Sequence, residues 1–203
     1  MKIVLDTSVI ISACDNIETV VRGALRYMKK YGTVKDFEHV VAGKNTAAYL
    51  SRELILHNCI NDTCIVSPSV DKEIRIEHPV IRECFVKLRH GLEIPDGKNI
   101  KVNVVKVDER TKSKVAYVLE KLGFNLCRLV SRKPCLSDED VEVLSLAISE
   151  KGILVTNDGY MAKAGKALGL QVIYITEEVE KLEKKGEEVL EKIRNLIKAV
   201  ITT

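Results

Sequence analysis

"LSDEDVEVLSLAISEKGILVTND", residues 136–158, carries the pattern that decides the fold. Ser137 stands three positions before Asp140, a capping-box arrangement with Asp in place of Glu, and marks a helix start. Val141, Leu144, Ala147 and Ile148 then share one face at helical spacing, and Gly152 closes the helix. Residues 153–156 form an apolar run too short for an independent helix, so they read as a buried strand that runs on to Asp158. A capped helix that feeds a buried strand ending on a carboxylate is one unit of an α/β sheet.

The same arrangement recurs along the chain. Residues 2–6, "KIVLD", read as a strand ending in Asp6, with Thr7 and Ser8 as cap residues and a helix beginning at Val9. Residues 64–66 read as a strand; Ser67, Pro68 and Ser69 then start a helix that has Glu73 in its opening turns and runs toward His78 and Pro79. Residues 171–175 read as a further strand. Helices are expected over 17–31 with a stop at Gly32, and over 45–58, 80–90, 109–122, 160–168 and 177–201. Residues 91–100 read as a loop, 101–107 as an extended strand or arm, and 125–135 have no assigned structure. The expectation is a three-layer α/β fold around a mostly parallel sheet of four to five strands, with an insertion around residues 91–110. In domain terms this is a unit over 1–176, interrupted by an insertion over 77–135, followed by an amphipathic helix over 177–203 that packs on the domain or on a partner. There is no internal repeat or low-complexity segment.

Composition narrows the class. The chain has 203 residues, 46% hydrophobic and 30% charged, which suits one domain with a core of useful size. A net charge of +3 permits an anionic partner without requiring one, so nucleic-acid binding has to be argued from a site. The six cysteines form no C-x-x-C pair, which disfavours a zinc ribbon. No apolar run approaches a membrane helix, and Met1-Lys2 leads into a strand-like run with no signal-peptide h-region. The expectation is a cytoplasmic protein with mostly reduced thiols. Its Lys/Glu-rich composition is also what thermophilic proteins show, and internal disulfides occur among those.

The acids form the candidate site. In an open α/β sheet, ligands collect beyond the carboxyl ends of the strands. Asp6 and Asp158 each end a strand, and Glu73 and Asp140 lie in opening turns of helices, so parallel strands bring all four to one edge. Close carboxylates raise one another's pKa, and a cation relieves this. An all-oxygen donor set with room for water suits Mg²⁺ or Mn²⁺ rather than zinc. Each acid also has a plainer reading: a strand-end turn for Asp6, a solvated helix residue for Glu73, a macrodipole partner for Asp140 and an Asx turn for Asp158. Histidines 39, 57, 78 and 90 show no metal-ligand spacing, and the chain has no Walker A motif, G-x-S-x-G or Gly-rich dinucleotide loop. Arg128, Arg132 and Lys133, with Lys87, Arg89 and His90, are candidate phosphate contacts, as are Lys163 and Lys166 after Asp158; a solvated surface is the competing reading. Aromatics are 4%, too few for base stacking to be the main grip.

Three stretches resemble the PIN-domain family of metal-dependent nucleases: "IVLDTSVII", "IVSPSVDKEI" and "LSDEDVEVLSLAISEKGILVTNDGYMAKAGKALGLQVI". They span roughly residues 1–76 and 136–176, and the last is the most specific. The resemblance implies a PIN-like fold and a divalent-metal-dependent endoribonuclease that hydrolyses RNA with a metal-activated water. Asp6, Glu73, Asp140 and Asp158 would be catalytic, with Asp6, Asp140 and Asp158 holding the metal. Ser8, Thr156, Glu142 and Asp138 would support them. It also implies Mg²⁺ or Mn²⁺ as cofactor, RNA as partner and a homodimer, with no membrane or small-molecule cofactor. The segment "SDEDVEVLSLA" looks closer to rRNA-processing endonucleases and the protein-only ribonuclease P type than to the short toxins. The chain lacks the zinc ribbon of the former, and the long helical insertion of the latter is not evident. The alternatives are a non-catalytic PIN-like module that binds RNA or protein, and a toxin of a toxin–antitoxin pair. A phosphatase-like hydrolase is disfavoured because no D-x-D motif follows the first strand.

Overall fold

The computed structural model describes residues 2–15, 37–60, 63–93, 99–127 and 134–185. The main strands are β1 (Ile3–Leu5), β2 (Cys64–Val66), β5 (Val102–Val104), β6 (Ile153–Thr156) and β7 (Val172–Tyr174). They form one sheet in the order β5-β2-β1-β6-β7. Every neighbouring pair is parallel, with Ile3 opposite both Cys64 and Ile153, and Leu5 opposite Val155. β1, β2 and β6 are buried throughout, as continuous apolar strands covered on both faces must be. β3 (Leu92–Glu93) and β4 (Asn99–Ile100) form a separate antiparallel pair.

The described helices are α1 (Thr7–Cys14), α2 (Phe37–Asn58), α3 (Pro68–Glu77), α4 (Pro79–His90), α5 (Glu109–Lys121), α6 (Asp138–Ser149), α7 (Gly159–Ala167) and α8 (Ile175–Lys185). They flank the sheet in a three-layer α/β arrangement. Local chemistry starts most of them. Ser67 caps α3 by accepting from the Val70 N–H, and Asp108 caps α5 by accepting from the Thr111 N–H at 2.8 Å. Ser137 and Asp140 complete the capping box of α6 that the sequence predicts. Arg52 of α2 donates to the carbonyls of Ala13 and Asp15, satisfying the end of α1. Gly91 leaves α4 at φ +98°, where a Cβ would meet the Asn99 side chain at 2.7 Å.

Several expectations change. Residues 102–104 are an edge strand of the main sheet, paired with β2, so the segment expected as an insertion supplies part of the central layer. α2 begins at Phe37 rather than near residue 45, and the last helix begins at Ile175, where Ile175 and Val179 are buried. The helix expected over 17–31 and the continuation of the last helix beyond 185 lie outside the described residues. Among the described residues, no helix is long and apolar enough to cross a membrane.

The thiols depart furthest from expectation. All six cysteines are paired, as Cys14–Cys84, Cys59–Cys64 and Cys127–Cys135, with Cα–Cα distances of 5.9, 4.8 and 5.0 Å. The expectation of mostly reduced thiols is therefore overturned, and with it the support that those thiols lend to a cytoplasmic placement. The reason is geometric: packing α1 on α4 brings Cys14 and Cys84 together from 70 positions apart, which spacing alone does not reveal. Closing so long a loop restricts the unfolded chain strongly. Replacing both Cys14 and Cys84 with serine should lower unfolding free energy by about 2–4 kcal/mol in urea titrations. Wild type unfolded without reductant should give no free thiol with DTNB; a full set of six would refute the pairing.

Candidate metal centre

The chain order creates the site. From β1 the connections run outward through β2 to β5, and the later strands β6 and β7 lie on the other side of β1. The segments leaving β1 and β6 therefore diverge and open a crevice at the carboxyl edge of the sheet. Asp6 follows β1, Asp158 caps α7 beyond β6, Glu73 lies in α3 beyond β2, and Asp140 is the third residue of α6. All four line one cleft of about 810 Å³, so the convergence expected from the sequence is present.

Each carboxylate is held differently. Asp6 is buried, and its Oδ2 accepts from the Ser8 hydroxyl at 2.5 Å and the Thr156 hydroxyl at 2.8 Å. Glu73 Oε2 accepts from the Thr7 hydroxyl at 2.6 Å. Asp140 Oδ2 accepts from the Ser137 N–H at 2.7 Å. Asp158 Oδ1 accepts from the N–H groups of Tyr160 and Met161 at 2.7 and 2.9 Å, while its own N–H donates to the Thr156 hydroxyl. Ser8 and Thr156 thus touch Asp6 directly, in the places expected of them.

The electrostatics are severe. Burial pushes the Asp6 carboxyl up; hydrogen bonds from Ser8 and Thr156 oppose the shift and the charge of Asp158 adds to it. Burial likewise raises Asp140 to about 6, with the charges of Asp6 and Asp158 adding to the rise against the Ser137 hydrogen bonds. The three aspartates therefore feel one another across the cleft. Among the described residues, seven carboxylates line it (Asp6, Glu73, Glu77, Glu139, Asp140, Glu142 and Asp158) against one lysine, Lys72, and one histidine, His78. A cleft of that balance repels a bare anion, whereas an all-oxygen donor set of high charge fits a hard divalent cation. The oxygens of Asp6, Asp140 and Asp158 do not lie within 4.8 Å of one another. Among the described residues, the ligand atoms that do so belong to Glu73, Glu77 and His78.

The other expected residues divide. Glu142 lines the cleft; Asp138 does not, and Glu139 takes its place. Glu139, Glu142 and Val143 follow i, i+3, i+4 spacing and face the cleft together, and Asp138 lies off that stripe. His78 was passed over because its sequence spacing resembles no metal motif, yet it lines the cleft with Nε2 3.9 Å from Glu73 Oε1. Its signal lay in the α3–α4 junction, which turns at His78 just five residues after Glu73. Lys163 is exposed and lies outside the cleft lining. Lys87 pairs with Glu83, Lys166 with Glu177 and Arg89 with Asp71. Arg128, Arg132 and Lys133 lie outside the described residues.

Comparison with protein-family models, with curated proteins and with solved structures gave no match to this chain.

The raised pKa of Asp140 has a direct thermodynamic consequence. A carboxyl that binds its proton more tightly when folded makes stability fall as pH rises from about 4 to about 6. Above that window the folded state bears the full penalty of the charge. Asp140→Asn keeps an acceptor for the Ser137 N–H and removes the charge. In EDTA at neutral pH it should raise unfolding free energy by about 1–3 kcal/mol and flatten this pH dependence. Denaturant titrations at several pH values check this, and a less stable variant with unchanged pH dependence would refute it.

Proposed function

We propose that this chain is a divalent-cation-dependent endoribonuclease of the PIN type. One observation carries the reading: four carboxylates from four separate elements line a single cleft at the carboxyl edge of a parallel sheet. The repulsion among them gives the cleft a use for a cation, and the same charge makes a phosphodiester an unfavourable guest without one. A bound Mg²⁺ or Mn²⁺ supplies Lewis acidity that neutralises phosphate charge and makes water a better nucleophile.

The chain's own residues supply position and charge. Asp6, Asp140 and Asp158 would hold the cation. Ser8 and Thr156 fix the Asp6 carboxylate, and Thr7 holds Glu73 toward the same space. In the cation-free cleft Asp140 is pushed up to about 6, so a cation would compete with its proton near neutrality. His78 faces Glu73 at the wall formed by the α3–α4 junction, where it can meet a substrate phosphate or a leaving oxygen. RNA, rather than another phosphodiester, is the substrate because of the likeness of the three motif stretches to PIN nucleases. Arg128, Arg132 and Lys133 are the cations proposed to approach its backbone, and a homodimer is the proposed assembly.

The test is cleavage of a mixed RNA pool in Mn²⁺ by wild type and by Asp6→Asn. Wild type should cut, and the variant should lose at least about a hundredfold in rate, a loss comparable to that of one oriented electrostatic group. EDTA should abolish wild-type cutting. Equal cleavage by the two proteins would assign the activity to a contaminant and overturn the proposal.

A further inference from the structure

We infer that Asn157 is a positioning residue that orients the Asp6 carboxylate for a divalent cation, although it touches neither Asp6 nor the cleft. This rests on the metal-centre reading and adds to it a residue whose neighbours on both sides, Thr156 and Asp158, already belong to the site.

The three residues leaving β6 divide their work. Thr156 donates its hydroxyl to Asp6 Oδ2 at 2.8 Å. Asp158 turns into the cleft. Asn157 turns toward α1, donating its backbone N–H to Ser8 Oγ at 3.0 Å and its side-chain Nδ2–H to Ser12 Oγ at 2.8 Å and to the Ser8 carbonyl at 3.4 Å. A serine hydroxyl has one hydrogen and two lone pairs. With a lone pair of Ser8 taken by the main-chain N–H of residue 157, which alanine would also supply, its hydrogen is directed to Asp6 Oδ2, 2.5 Å away, and the side chain's own part is to hold α1 in place for this contact. The amide side chain meanwhile ties α1 to the end of β6 at both Ser8 and Ser12. Two hydroxyls from two different elements therefore meet on the same oxygen, and neither takes Oδ1. That pins the rotation of the carboxylate before any cation arrives, and such outer hydrogen bonds tune the affinity of a metal site.

A second observation separates this role from ordinary packing. The Asn157 side-chain oxygen is buried and accepts no hydrogen bond. A buried amide oxygen without a donor is unfavourable, so the fold gains little from this side chain as an acceptor. What Asn157 contributes is its pair of side-chain N–H donors, both aimed at α1.

The test is calorimetric titration of the full chain with MnCl₂, together with a melting curve for each protein. The variants are Asp6→Asn, Asn157→Ala, Ser12→Ala and Val115→Ala. Val115 is a buried residue of α5 outside the cleft and serves as the measure of general destabilisation. Asn157→Ala should bind Mn²⁺ about tenfold more weakly, with a smaller drop in melting temperature than Val115→Ala. Ser12→Ala removes only the outer anchor and should weaken binding in the same direction by less. Val115→Ala should keep wild-type affinity. Wild-type affinity in Asn157→Ala, or an equal loss in Val115→Ala, would overturn this inference alone. No Mn²⁺ binding by wild type, or undiminished binding by Asp6→Asn, would overturn the metal-centre reading and this inference with it.

Discussion

The Asp6 backbone N–H donates to the Val155 carbonyl at 3.1 Å, and the site depends on that bond. It is the last rung of the β1–β6 ladder, after Leu5 opposite Val155. Because the strands are parallel and in this register, the residues just beyond the rung are Asp6 itself and Thr156. Their side chains then meet, although 150 positions separate them. A slip of one residue would turn Asp6 to the opposite face of the sheet and part it from the Thr156 hydroxyl. Packing opposes that slip, since the buried Val4 and Leu5 would change faces with it.

A buried carboxylate opposes folding, and three that share a cleft oppose it more. The fold tolerates this because the mount is separate from the load. β1, β2 and β6 bury their side chains completely, and α6 places Val141, Val143, Leu144, Leu146 and Ala147 in the core while its first turn faces the cleft. The hydrogen bonds at each acid come from groups that are themselves anchored: a cap serine, the two N–H donors of a helix start, and the hydroxyls of Thr7 and Ser8 in the first turn of α1 and of Thr156 at the end of β6. Stability and the site thus pull in opposite directions at Asp6 and Asp140, the pattern expected where charge is kept for use rather than for folding.

Much of this was readable in advance, because it rests on local rules. A short apolar run ending in Asp, followed by cap residues, identified β1 and β6. Ser137 with Asp140 located the start of α6, and Ser67-Pro68 that of α3. Parallel strands then imply one edge for all four acids without knowledge of any contact. What could not be read depends on packing. Asp138 and Glu139 are equivalent as residues, and only the rotation of α6 against α3 selects the second. His78 enters the cleft because one helix stops there and another begins. Residues 102–104 read as an arm until β2 supplies the partner that makes them an edge strand. The cysteine pairs require α1 beside α4 and the end of α2 beside β2, arrangements with no trace in spacing.

The Cys14–Cys84 bridge sits at the far end of the helix that Asp6 begins. α1 carries Thr7, Ser8 and Ile11 on the cleft, and α4 follows directly on His78, which lines it too. The bridge therefore ties the end of α1 to α4 and closes a covalent ring that contains β2 and α3, with Glu73, Glu77 and His78 of the cleft. That tie, with the Thr7–Glu73 hydrogen bond, restrains α1 and α3 from parting. On that side the cleft is held by a covalent bond as well as by packing, so part of its shape survives whatever loosens the helices.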